Sequence, residues 1–172
     1  MFKVQNFVAV VLALGLSGCG SMMTMGAPEI SRLEIPNIPI KIAAAVTVPA
    51  GYTTYYISGA GPTVADPTAP VGSVKRFGDT ETQTASTLAQ LKATMAKLGL
   101  TFADVVEAHV FLVGDPDMGG KMDFVGMNKA WSKEFGTAEQ PNKPARAAVQ
   151  VAGLAFPGGL VEIEFIAAKK PM

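Results

Sequence analysis

At 172 residues the chain has room for one ordinary domain. Its 14 Lys and Arg balance 14 Asp and Glu, so it lacks the basic surplus of a nucleic-acid interface, and nucleic acid is not expected as a partner. One Cys and one His leave no disulfide framework and too few ligands for a zinc cluster, so stability must come from ordinary packing.

The first element is the N-terminal run containing VVLALGLSGCG. Lys3 precedes an apolar stretch, Phe7 to Leu16, that would extend roughly 15 Å as a helix against a bilayer core of about 30 Å, too short to span it. A basic start, a short apolar core and small residues read as a secretory signal. The ending Leu16-Ser17-Gly18-Cys19 resembles the lipobox of bacterial lipoproteins, whose cysteine is lipidated and becomes the new N terminus. The resemblance implies a signal peptide over residues 1–18, lipid on Cys19, export to the periplasm, and membrane attachment through the lipid anchor alone. More than one acyl chain makes such an anchor firm. Gly20 in place of an Asp slightly favours the outer membrane.

Residues 19–39 hold small residues and prolines without a sustained period and are expected to be a flexible tether, leaving a single domain over 40–172. KIAAAVTV and TTYYIS are β-prone runs divided by Pro49-Ala50-Gly51, which predicts a hairpin. A long Pro- and Gly-rich loop from Gly59 to Gly78 follows, with room for a short strand near Ser73 to Arg76. Leu88, Leu91, Met95 and Leu98 recur at helical spacing between an acidic start at Asp79 and a stop at Gly99. VVEAHVFLV predicts a strand, and Phe124, Met127, Trp131 and Phe135 share one face of a helix over about 121–135, with Trp131 as a core anchor. RAAVQVAGL and LVEIEFIAA are two more strands joined by a turn at Pro157-Gly158-Gly159. The order ββαβαββ predicts an α+β domain with both helices on one face of a sheet. In the last strand Val161, Ile163, Phe165 and Ala167 point toward the helices, and Leu160, Glu162, Glu164 and Ile166 away from them.

KPARAAVQVAGL followed by GGLVEIEFIAA resembles the C-terminal signature of the RidA/YjgF family of reactive-intermediate deaminases. The likeness extends upstream: YYISGAGP is similar to the family's Tyr-x-Ser-Gly loop, ETQTASTLAQLKATMAKLG to its Gln-Thr helix, and MNKAWSKEFG to its Asn-containing helix. It runs from about Ile40 to Lys169. The resemblance implies a chorismate-mutase-like fold with a mixed sheet, assembly as a homotrimer with ligand sites between subunits, and no cofactor. It also implies hydrolysis of a small 2-imino or 2-enamino acid to a 2-keto acid and ammonia.

On that resemblance Arg146 binds the substrate carboxylate, a task suited to a planar guanidinium, and Glu162 orients water or shuttles a proton. Backbone groups of Ser58, Gly59 and Ala60 line the pocket. The alternative for Arg146 is a structural ion pair with Glu162 or Glu164, and the alternative for the loop is a plain turn. The first-strand aromatic that covers substrate in family deaminases is missing, with Ile42 at the nearest position, which keeps open a non-catalytic trimeric binding module for a small carboxylate. Tyr55 and Tyr56 are assigned to sheet packing, His109 to structure, and Asn128 to bracing.

Overall fold

Six strands and two helices organise the described residues, 28–171, of the computed structural model; residues 1–18, expected as a signal peptide, and Cys19 lie outside them. In chain order these are β1 (Ser31–Glu34), β2 (Ala43–Thr47), β3 (Thr53–Ala60), α1 (Thr80–Lys97), β4 (Val105–Val113), α2 (Phe124–Trp131), β5 (Ala145–Val151) and β6 (Val161–Lys169). The helix α1 starts where the Asp79 side chain accepts the Thr82 N–H at 2.8 Å, and the chain leaves it through Gly99 at φ +68°. Asp123 caps α2 in the same way, accepting from the Gly126 N–H at 2.8 Å.

The main sheet is mixed, with strand order β3-β6-β4-β5. Its one parallel pair, β4 with β5, is linked by α2, the crossover that parallel pairing requires. Both helices cover one face. Leu88, Leu91 and Met95 of α1 and Met127 and Trp131 of α2 are buried against Val161, Ile163, Phe165 and Ala167, so the predicted alternation holds within β6, but Leu160, expected on the outward face, lies just before the strand and is buried in the core. Trp131 stacks on Phe135 at 4.2 Å between ring centroids, and Phe165 meets Phe102, Trp131 and Phe135 edge-on. Gln83, fully buried, joins the start of α1 to the turn before β6. Its amide donates to the carbonyls of Gly78 and Gly158 at 2.9 and 3.3 Å and accepts the Leu160 N–H at 2.7 Å.

Four local expectations are corrected. The expected hairpin does not form: β2 pairs with β1 in a separate two-stranded sheet, and β3 pairs with β6. Placing Ile57 opposite Phe165 buries it in the core, a register gain that outweighs the short turn at Gly51. Part of the segment expected as a tether is therefore the strand β1, held to the body by Arg32, which donates to the carbonyls of Ala103 and Val105 at 3.0 and 3.3 Å. Residues Val74–Arg76 form a 3-10 turn, not a strand, and Arg76 ties the long loop together through the Pro67 and Ala69 carbonyls, each at 3.0 Å. The second helix is also shorter than expected, ending at Trp131. Among the described residues no helix is long and apolar enough to cross a membrane.

Candidate functional site

Arg146 lies on β5 opposite Ala108 of β4, which in turn pairs with Phe165 of β6, so its side chain rises from the helix-covered face. There it meets α2. One guanidinium nitrogen, Nη2, donates to Asn128 Oδ1 at 2.9 Å, and Nη1 approaches the Met127 sulfur at 3.5 Å. Asn128 is itself fixed, because its Nδ2 donates to the Phe124 carbonyl at 2.8 Å and leaves Oδ1 aimed at the arginine. The guanidinium carbon sits 4.6 Å from the Trp131 ring centroid and 5.8 Å from that of Phe124. Burial lowers the Arg146 pKa to about 10, and the group stays charged at neutral pH. Among the described residues it forms no ion pair with a carboxylate, so the ion-pair alternative with Glu162 or Glu164 is not what this fold builds.

Ser58 and Gly59 occupy a bulge. Ile57 faces Phe165 while Ala60 faces Ile163, so β3 carries one residue more than β6 across this stretch. The bulge brings the bare Cα of Gly59 against the Glu162 carboxylate, and a Cβ there would overlap Oε1. The structure therefore joins two of the predicted site components, the Ser58-Gly59-Ala60 segment and Glu162. Glu162 is half-buried and makes no hydrogen bond or ion pair among the described residues. Beside the bulge, Tyr56, Ile57, Ser58 and Glu164 line an open cleft of about 240 Å³.

Within one chain, these two groups do not meet. Glu162 pairs with Phe111 on the open face of the sheet, whereas Arg146 projects from the other face. With β4 lying between their strands, their backbones are also about 10 Å apart across the sheet. The chain thus carries two half-sites: a cationic one built by β5 and α2, and an acidic one built by β3 and β6.

His109 lies on the open face, bracketed by Glu164 at 2.8 Å from Nδ1 and Glu107 at 3.2 Å from Nε2. Tyr55 packs at the core edge, but Tyr56 is 81% exposed rather than packed on the sheet. Asn128 does brace, and what it braces is Arg146. Trp131 is the core anchor that the helical spacing implies, yet its second role beneath the guanidinium was missed, since only the cross-strand register places Arg146 over it. Among the described residues no group of three or more His, Cys, Asp or Glu is arranged to hold a metal.

Comparison with known proteins agrees with this architecture. The profile of the family described as Endoribonuclease L-PSP matches residues 43–169. A RutC family protein of Haemophilus influenzae is 39% identical over 92 residues, a match covering 54% of this chain and 65% of that relative's length. A Yersinia pestis protein of unknown function from the conserved Rid family, YyfB, shares the fold with a TM-score of 0.61 at 24% identity, over 81% of this chain and 98% of its own. Escherichia coli TdcF, solved with bound serine, aligns with a TM-score of 0.53 at 25% identity, over 76% of this chain and 94% of its own. With the profile spanning β2 to β6 and the two helices lying on one face of a mixed sheet, the chain belongs to the RidA/YjgF family.

Proposed function

We propose that the protein is an enamine/imine deaminase, hydrolysing a small 2-imino or 2-enamino acid to the 2-keto acid and ammonia. The observation that carries this reading is Arg146: a desolvated guanidinium, aimed by Asn128, with no carboxylate partner among the described residues to neutralise it. Such a group is matched by a ligand carboxylate, whose two oxygens accept its parallel N–H bonds. The serine bound to TdcF is a ligand of that chemical kind on the same fold.

The reaction asks little more of the protein. An enamine takes a proton on carbon to become an imine, water adds to the imine carbon, and the carbinolamine collapses to a keto acid with loss of ammonia. Glu162 holds that water and moves the protons, with the Ser58-Gly59-Ala60 backbone beside it. Because one chain keeps the two half-sites on opposite sheet faces, the complete cleft is assembled between copies, in a homotrimer. The lipobox-like segment around Cys19 tethers this trimer to a membrane on the periplasmic side, where imines from amino-acid oxidation at the cell envelope are the expected substrates.

A second reading, a trimeric binding module without turnover, is favoured by the lack of an aromatic residue in IKIAAAVT, where family deaminases carry their substrate cover. The test is ammonia and keto-acid release from an imino acid generated in situ, with R146M alongside. Acceleration by the wild type alone supports the enzyme. Equal rates with and without protein, combined with retained 2-oxobutanoate binding, leave the binding module.

A further inference from the structure

We propose that Trp131 is the positioning residue of the Arg146 half-site, presenting the guanidinium to a ligand carboxylate and tying its orientation to the backbone of residues 40–43. The inference rests on the carboxylate-binding reading of Arg146 and names a residue to which that reading assigns no role.

Trp131 does two things at once. Its ring face lies 4.6 Å from the Arg146 guanidinium carbon, so the ion is supported by an aromatic quadrupole on one side while Asn128 holds one of its nitrogens. Its indole N–H points elsewhere, donating to the Lys41 carbonyl at 2.8 Å. Lys41 begins the segment that enters β2, and two residues later the Ala43 N–H donates to the Pro144 carbonyl at 2.9 Å, two positions before Arg146. A closed circuit follows: Arg146 on Trp131, Trp131 on Lys41, and Ala43 back to Pro144, immediately before the strand that carries Arg146. The ring is fully buried and stacked on Phe135, so it cannot turn away without opening the core. A shift of residues 40–43 is therefore transmitted to the guanidinium through one rigid side chain. This segment is where the missing first-strand aromatic would stand, so its control of the arginine is indirect here.

Two variants separate the two roles. W131F keeps an aromatic face and removes the N–H; W131L removes both. Trp131 is the chain's one tryptophan, so its emission gives a direct report on the site. In full-length protein held in detergent, 2-oxobutanoate is expected to shift the Trp131 emission, W131F to keep its affinity within about threefold by calorimetry, and W131L to lose more than tenfold while remaining cooperatively folded. A readout that needs no ligand is the Arg146 Nε–Hε NMR resonance, identified by its absence in R146K. It should be ring-current shifted in the wild type and in W131F and return to the position of a free arginine in W131L. Hydrogen exchange at Ala43 should rise in W131F. An unmoved Arg146 resonance in folded W131L would overturn the proposal even if 2-oxobutanoate does not bind; wild-type affinity in W131L would overturn it if the ligand does.

Discussion

Replacing Arg146 with Met removes the charge and keeps most of the side chain's length, and the fold lets the outcome be worked out. Burial moves the guanidinium pKa down from its ordinary range to about 10, a preference against the charged form worth about 3 kcal/mol before solvent screening and about half that after it. Against this stand one hydrogen bond to Asn128, about 1 kcal/mol, and the stack on Trp131, also about 1 kcal/mol. The terms nearly cancel, so R146M should change stability by no more than about 1 kcal/mol, roughly 4 °C in melting temperature for a domain of this size. Arg146 is a base with a lowered pKa, so its penalty is fully present below about pH 10 and is relieved only as pH rises from there toward the ordinary arginine range. The difference between variant and wild type should therefore be flat from pH 6 to pH 9. Ligand response should separate the two proteins. 2-Oxobutanoate at about 100 times its dissociation constant should stabilise the wild type by about 2.7 kcal/mol and leave R146M unmoved. Differential scanning fluorimetry over that pH range measures all of this. A loss beyond about 3 kcal/mol in R146M would refute the reasoning, since that is the mark of breaking a buried ion pair.

Gly59→Ala places a methyl group on the Glu162 carboxylate; turnover should fall at least tenfold with a small change in melting temperature, and unchanged kinetics would separate Glu162 from the chemistry. Gln83→Leu strands the Gly78 and Gly158 carbonyls and the Leu160 N–H, a loss of about 3 to 5 kcal/mol by urea denaturation. Asp79→Ala removes the α1 cap at a cost of about 1 kcal/mol. The Asp79 pKa is lowered chiefly by the Thr82 backbone hydrogen bond, so this contribution is present above the ordinary Asp range and should vanish as pH falls below it, which acid titrations of variant and wild type will show as converging curves. Cys19→Ser should move the protein from the membrane fraction to the soluble fraction after cell lysis; retention on the membrane would remove the lipid from the account.

What could be read from the sequence was what repeats locally. The α1 face at Leu88, Leu91 and Met95, the Asp79 start, the Gly99 stop and the alternation of β6 follow from periods of 3.6 and 2 and from capping chemistry and stand in the structure, whereas Leu98, expected on the same face, caps the helix and is half exposed. Pairing was harder. Whether TTYYIS joins the run before it or the strand more than a hundred residues later depends on what Ile57 buries, and a turn signal at Gly51 carries no information about that. The strand at Ser31–Glu34 was hidden for the same reason, because its support comes from Arg32 reaching Ala103 and Val105. The site was half legible. Motif resemblance picked out Arg146, Glu162 and Gly59, and the bulge does unite the last two. It could not say that Arg146 faces the helices, since that follows from the parallel register Ala108 to Arg146, whereas the open-sheet face of Glu162 is legible in the alternation of β6 and stands in its pairing with Phe111.

That opposition makes the cleft between copies the central claim, and subunit mixing tests it most directly. R146M and E162Q, each purified alone, should both fail to accelerate keto-acid release from an in situ generated imino acid. Co-expressed and co-purified, the two variants should regain activity, because an interface that takes its arginine from one chain and its glutamate from the other is intact. Random assortment predicts roughly a quarter of the wild-type rate. Recovery near that value is the expected result; a mixture as inactive as its parents, from oligomers shown to contain both chains, would contradict the account.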